Sequence, residues 1–243
     1  TFHLEPFVFA NYRLTSKWNV NMLFSHALSP NAFSSYIESP IFTNYYSLMQ
    51  GKAHLNNTTT NMLSNTWKYN DVIRGMFGNL GLSYSRTSNI MLYESVFEDG
   101  FYKSRATDHT SCNSTTSISG GIGKSIGWGK ASIEFNASAS DNNYQLLIAK
   151  EVVDFTRREL STGITIAYHP WNVFSIEHKS SYNTSERKGK NYAPFNNRQT
   201  FLHHRLKLYL LPGKWQIEVS NELFQSQDKS ISNSFFTDLS VSC

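Results

Sequence analysis

Long stretches of this 243-residue chain alternate apolar and polar residues with a period of two. Successive strand residues point to opposite faces, so this period marks β-strands with one apolar and one hydrated side. Leu202, Leu206, Leu208 and Leu210 alternate with His203, Arg205, Lys207 and Tyr209. Past the next turn, Trp215, Ile217, Val219 and Leu223 alternate with Gln216, Glu218, Ser220 and Glu222. Leu160, Thr162, Ile164, Ile166 and Tyr168 oppose Arg157, Glu159, Ser161, Gly163 and Thr165. Ala131, Ile133, Phe135 and Ala137 oppose Ser132, Glu134, Asn136 and Ser138. Charges fall on one side and aliphatics on the other. Elsewhere the pattern is weaker, and the first run, Phe2 to Arg13, leaves its faces ambiguous.

The runs number about eleven. They span residues 2–14, 17–28, 54–69, 76–92, 107–124, 130–146, 152–168, 173–184, 199–210, 215–226 and 234–243. Short turns and long loops alternate between them, the long ones covering 29–52, 93–106, 147–151, 185–198 and 227–233. Trp18, Trp67, Trp128, Trp171 and Trp215 each sit beside a short turn. From one to the next lie roughly 43 to 61 residues, room for two strands and a long connection. Pro30, Pro40 and Pro194 fall in long loops, Pro170 and Pro212 in short turns, and Pro6 inside an expected strand.

Indole is amphipathic and gathers where hydrocarbon meets lipid headgroups. A row of tryptophans at one kind of turn therefore predicts an antiparallel up-and-down transmembrane β-barrel, with short turns periplasmic and long loops extracellular. Closure is required, because each unpaired backbone group in lipid costs several kcal/mol. Composition agrees. Charged residues make up 16%, aromatics 14% and hydrophobic residues 40%. Ser, Thr and Asn add about 30%, as expected where half of each strand faces water. No apolar run reaches the roughly 18 residues of a membrane helix. The expected location is the bacterial outer membrane. Both ends read as mid-strand, so we expect an internal fragment of a longer barrel.

Charged residues on the hydrated side, Glu134, Arg157, Glu159, Arg205, Lys207, Glu218 and Glu222, are the candidate lumen lining. Arg or Lys facing lipid at mid-membrane would cost about 2–4 kcal/mol, which drives them inward. Tyr93, Phe97, Phe101, Tyr102, Arg187, Lys188 and Tyr192 in the long loops are candidate ligand contacts. The tryptophans are candidate lipid anchors. Gly120-Gly121-Ile122-Gly123-Lys124-Ser125 looks like the end of a phosphate-binding loop. The glycine that loop requires would fall at Ile118, and a turn follows where a helix is needed, so strand packing is the better reading. His203 and His204 point to opposite faces and cannot share one metal ion. The matches to the glycosylation pattern, among them Asn57-Thr58-Thr59 and Asn183-Thr184-Ser185, are expected by chance in so polar a chain. Cys112 and Cys243 form no disulfide framework and are expected to be free. No cofactor is expected. A net charge of +4, with no basic helix, does not call for nucleic acid.

One resemblance goes further. Gly51-Lys52-Ala53-His54-Leu55, Thr58-Thr59-Thr60-Asn61, Trp67-Lys68-Tyr69-Asn70, Phe77-Gly78-Asn79-Leu80 and the run Leu82 to Asn89 resemble the barrel of TonB-dependent-receptor-like proteins of Bacteroidetes. Phe235 to Val241 is similar to the third-to-last strand of such barrels. The resemblance is one of pattern, spread over most of the chain. It implies a barrel of about 22 strands around an N-terminal plug, of which this chain would supply about strands 10–20. It also implies coupling to the inner membrane through a TonB box. The implied partners are outer-membrane lipid, the plug and the TonB complex, with a surface lipoprotein left open. Uptake of a nutrient or chelate is the expected function. A passive or structural barrel and a soluble all-β binding module are the alternatives. An enzyme is the least expected class, because no acid–base or metal set is legible.

Overall fold

The computed structural model describes residues 4–30, 33–52, 57–127, 129–148, 150–190, 196–227 and 232–242. In chain order the strands are β1 (Phe7–Arg13), β2 (Trp18–Pro30), β3 (Ile41–Asn44), β4 (Ser47–Gln50), β5 (Asn57–Asp71), β6 (Met76–Glu98) and β7 (Phe101–Ile126). They continue as β8 (Ala131–Ile148), β9 (Glu151–Trp171), β10 (Phe174–Gly189), β11 (Asn197–Leu210), β12 (Gln216–Ser226) and β13 (Ser234–Ser242). A short 3-10 turn, Phe33–Tyr36, precedes β3. The fold is all-β, an antiparallel up-and-down sheet in the order β1-β2-β5-β6-β7-β8-β9-β10-β11-β12-β13, with β3 and β4 off this path.

The expected runs fall on the strands of this path, but several boundaries move. Pro6 precedes β1 rather than lying inside it, and Pro170 lies within the end of β9 rather than in a turn. The expected long loop at 93–106 is strand instead. Asp99 (φ 55°) and Gly100 (φ 81°) make a tight turn between β6 and β7, which run for 23 and 26 residues. Both central residues at positive φ match the right-handed twist of the flanking strands, which is why Asp-Gly favours two-residue hairpins. Loop 147–151 shrinks in the same way, with Lys150 at φ 69°. Half of 185–198 is strand too, since β10 runs on to Gly189 and β11 starts at Asn197. Within 29–52, β3 and β4 form a hairpin whose second strand lies parallel to β7, from Ser47 opposite Tyr102 to Gln50 opposite Arg105.

Register fixes the faces. One hydrogen-bonded row runs through Ile122, Phe135, Ile164, Ser180, His204 and Leu223. Its neighbour on the opposite face runs through Gly121, Asn136, Gly163, Ser181, His203 and Phe224. Shifting any strand by one residue would turn its leucines to the hydrated side, so apolar segregation locks the register. The apolar face is open: Ile122 is 57% exposed and Leu239 68%. Gly120 to Lys124, the loop-like motif, lies inside β7, where the bare Cα of Gly123 leaves room for the Phe77 ring opposite it.

The turn from β5 to β6 depends on Gly75, which sits at φ +63° against the carbonyl of Ser125. A Cβ there would meet backbone that cannot swing aside. Gly75→Ala should cost about 1–3 kcal/mol, the usual range for a strained left-handed residue, plus the clash. Gly213→Ala, also at positive φ but with open space around it, should cost less. Urea midpoints followed by tryptophan fluorescence check the order.

Candidate functional site

The polar face gathers its charges on β9 to β13. Lys207 donates to Glu218 across the β11–β12 pair. One step along, Glu222 lies 3.7 Å from Arg205 Nε and 3.4 Å from His203 Nε2. His203 stacks on Phe224, with centroids 4.2 Å apart and planes 8° from parallel. Lys179 stands opposite Arg205, and Glu177 opposite Lys207. His203, Arg205, Lys207, Glu218 and Glu222 are half-buried, and all but His203 line a cavity of about 230 Å³ with Asp238. Antiparallel pairing explains the arrangement: Arg205 lies directly across from Glu222 and Lys207 lies diagonal to Glu218, and opposite charges at direct and diagonal positions across a pair are within reach.

Further along the same face, Arg157 pairs with Glu159 two residues on, and the Ser140 hydroxyl donates to Glu159 at 3.4 Å. Glu134 accepts from Asn136 at 3.0 Å. Arg187, expected in a loop, is in β10 opposite Arg157 and Asn197. With Tyr144, Ser185 and Gln199 they line a second polar cavity of about 180 Å³. Two adjacent guanidiniums there make a place for an anionic group. Lys188, on the opposite face, binds Glu186 at 3.0 Å.

The aromatic candidates separate. Phe97 and Tyr102 lie side by side, their centroids 4.9 Å apart, both well exposed. Phe101, one residue away, turns to the other side and meets Phe42 of β3 at 5.9 Å. Tyr93 donates instead to Ser35 at 2.9 Å, tying β6 to the 3-10 turn. Lys103 binds Asp99 at 2.7 Å and Glu98 at 3.1 Å, and these carboxylates hold its ammonium above the ordinary lysine range. Phe42, Tyr45 and Tyr46, all highly exposed, join this group only through the parallel β4–β7 pairing. That pairing has no signature in the sequence. Of the earlier candidates, Trp128 and Tyr192 lie outside the described residues, as does Cys243.

At the short-turn end, Trp18 lies 4.9 Å from the Tyr69 ring, and Trp171 lies 6.3 Å from Phe174. Trp171 and Trp215 are 68% and 53% exposed. Beside them is a carboxylate that sequence reasoning missed. Asp71, buried at the end of β5, binds Lys17 at 2.6 Å, accepts the Arg74 N–H at 3.2 Å and the Tyr69 hydroxyl at 3.4 Å. It joins the first two short turns. Among the described residues no cluster of His, Cys, Asp or Glu has the makings of a metal site.

No family model matches this chain, and no curated protein does. Among solved structures, the beta domain of the Bordetella autotransporter BrkA aligns over 97% of this chain and 86% of its own length, with 9% identity and a TM-score of 0.38. OmpT, an outer membrane protein of Vibrio cholerae, aligns over 91% and 79%, with 8% identity and a TM-score of 0.41. Likeness at this level assigns no activity. The expectation that the chain is not an enzyme is nevertheless corrected. An acid–base pair that no spacing revealed, His203 with Glu222, does meet on the polar face with Ser181 across from the imidazole. The exclusion of catalysis is withdrawn.

Asp71 supplies a pH test. The hydrogen bond from Lys17 holds its carboxyl below the ordinary aspartate range, against the opposing effect of burial, with the Arg74 N–H and Tyr69 hydroxyl assisting. A depressed folded value means stability that is full above the unfolded value of about 3.9 and lost as pH falls through the folded one. Asp71→Asn should therefore destabilise at pH 7, and its deficit against wild type should close in strong acid. Unfolding midpoints across pH 2–7 measure this.

Proposed function

We propose that this chain forms the wall of a β-barrel in the bacterial outer membrane, its apolar face on lipid and its polar face along a hydrated passage that serves solute uptake. The separation of the two faces across β7, β8 and β9 carries this reading. A soluble sheet covers an apolar face with a second layer. Here Ile118, Ile122, Ile126, Ile133, Phe135, Leu160 and Ile166 all stand on one exposed face. Exposed apolar area on this scale fits hydrocarbon as the solvent. Such a wall stands in lipid only when the edges of β1 and β13 are also paired.

The tryptophans fit the same picture. The row through Trp67 continues through Leu80, Gly120, Ala137, Thr162, Tyr182 and Leu202. It reaches β11 far above the turn that carries Trp215. In a barrel tilted by about 35–45°, each neighbouring strand shifts in height by about one residue. Rows that are level in hydrogen bonding are thus slanted in height, and a drift in this direction brings Trp67 and Trp215 towards one rim. Trp18, Trp67, Trp171 and Trp215 then act as anchors in the periplasmic headgroup layer.

The finer reading is TonB-dependent uptake, with a plug, the TonB complex and a surface lipoprotein as partners. It rests on the motif resemblance. The exposed aromatics Phe97 and Tyr102 would capture solute, and the guanidiniums of Arg157 and Arg187 would meet it inside. A passive or structural wall is favoured by one observation, the mutual pairing of Lys207 with Glu218 and Arg157 with Glu159, which satisfies the lining charges internally. Proteoliposomes holding the intact protein separate the two. TonB-dependent uptake requires a barrel closed at rest that does not swell in sucrose, and cellular uptake that stops when the proton gradient is dissipated. Steady swelling identifies the passive barrel.

The facing can be tested directly. Ile122→Arg should cost about 2–4 kcal/mol of folding free energy in a bilayer, whereas Ser119→Arg on the opposite face should cost little. Equal costs in phosphatidylcholine vesicles would contradict the assignment.

A further inference from the structure

The apolar face ends in a charged border on the side away from the tryptophan turns. Two adjacent rows cross there. The first holds Leu82, Ile118, Ala139, Leu160 and Thr184. The next, one step towards the long loops, holds Tyr84, Thr116, Asp141, Arg158, Glu186 and Arg198. Between them runs an open trough of about 780 Å³, within the range of about 300–1,000 Å³ common for ligand clefts. Leu82, Ile118 and Leu160 make its apolar side. Arg158 stands over the other, donating to Asp141 at 3.0 Å, with Arg198 opposite Glu186 in register.

Charge along this border is not balanced. The row beyond adds Arg86 and Lys188 on the same face. Arg86, Arg158, Lys188 and Arg198 therefore face two carboxylates, Asp141 and Glu186. Arg158 is 66% exposed at its side chain, so its guanidinium can take a second acceptor while Asp141 orients it. Guanidinium forks match phosphate oxygens in pairs. An apolar trough that opens onto excess guanidinium, on the face turned away from the lumen, suits an amphiphile with an anionic head.

We propose that this trough seats a phosphorylated glycolipid of the outer leaflet, an acyl chain lying along Leu82, Ile118 and Leu160 and a phosphate held by Arg158 and Arg198. This inference rests on the outer-membrane reading above and goes beyond it, because it names a specific lipid site on a wall that otherwise needs only bulk hydrocarbon. The Coulombic part of the attraction lies at the headgroup level, where dielectric is lower than in water and the pairing is correspondingly stronger. Asp141 acts as a positioning residue that holds the Arg158 guanidinium aimed at the trough.

The test uses the intact protein in mild detergent with lipid A as the probe, read by native mass spectrometry. Wild type should retain lipid A. The double variant R158Q/R198Q should hold it about tenfold more weakly, as expected for loss of charge-assisted pairs, and K124Q, a cation of the same face near the other end, should match wild type. Lipid A stripped of its phosphates should bind wild type as weakly as intact lipid A binds the double variant. Equal retention by the double variant, or an equal loss in K124Q, overturns the site. Insertion into vesicles, followed by heat-modifiable gel migration, is measured in parallel. A wild-type protein that inserts and retains no lipid A overturns this inference alone. A wild-type protein that never inserts overturns the membrane reading, and the lipid site with it.

Discussion

Everything in this molecule depends on backbone hydrogen bonding between neighbouring strands. A peptide group in a nonpolar setting must find its partner within the protein. The antiparallel meander meets that demand strand by strand, from β1 to β13, with each strand pairing its neighbours in sequence along the main path. Once the ladders are set, every side chain has one of two destinations, and the choice alternates residue by residue. A sheet of this kind needs no packed core in the usual sense. Phe155 is one of few large apolar side chains that are fully buried.

The two faces have different duties. On the polar face, register sets Arg205 directly across from Glu222, with His203 beside the same carboxylate, while Lys207 reaches Glu218 diagonally. In half-buried pairs of this sort each charge satisfies the other, whereas an unpaired one would carry the full desolvation cost. On the apolar face, the charged residues of β5 to β10 stand near its ends, while Ser180, His178 and His204 interrupt the middle of the face on β10 and β11. Lys124 and Asp71 stand towards the short turns, and Arg158, Asp141, Glu186 and Arg198 towards the long connections. A long cationic side chain can reach the headgroups from such a place.

Extension beyond the expected strands changes the mouth of the structure. β6 and β7 run on past the apolar band and close in the Asp99-Gly100 turn, and the β3–β4 hairpin lies along β7. Aromatic and charged residues that would have hung on a flexible loop are mounted on a small sheet instead. Residues on paired strands hold a ligand-ready geometry at lower entropic cost than residues on a loop. Lys103, held by Asp99 and Glu98, ties the turn to the strand below it.

The amino-acid sequence alone determined the class of fold and the faces of β8, β9, β11 and β12, because period-two alternation is a local property and each of these strands carries its own copy of it. It also placed the tryptophans at the turns and the charges of β11 and β12 on the hydrated side. The Asp99-Gly100 turn was legible as well, since Asp-Gly between alternating runs is a strong hairpin signal, yet length and charge made 93–106 look like a loop. Only the tertiary structure decided which residues meet across strands. Neither the Lys17–Asp71 clasp, which joins residues 54 apart, nor the parallel seating of β4 on β7, nor the charged border through Arg158, Glu186 and Arg198 can be read from one strand at a time. Pairing partners depend on register summed over many strands, and that sum is not written in any local stretch of sequence.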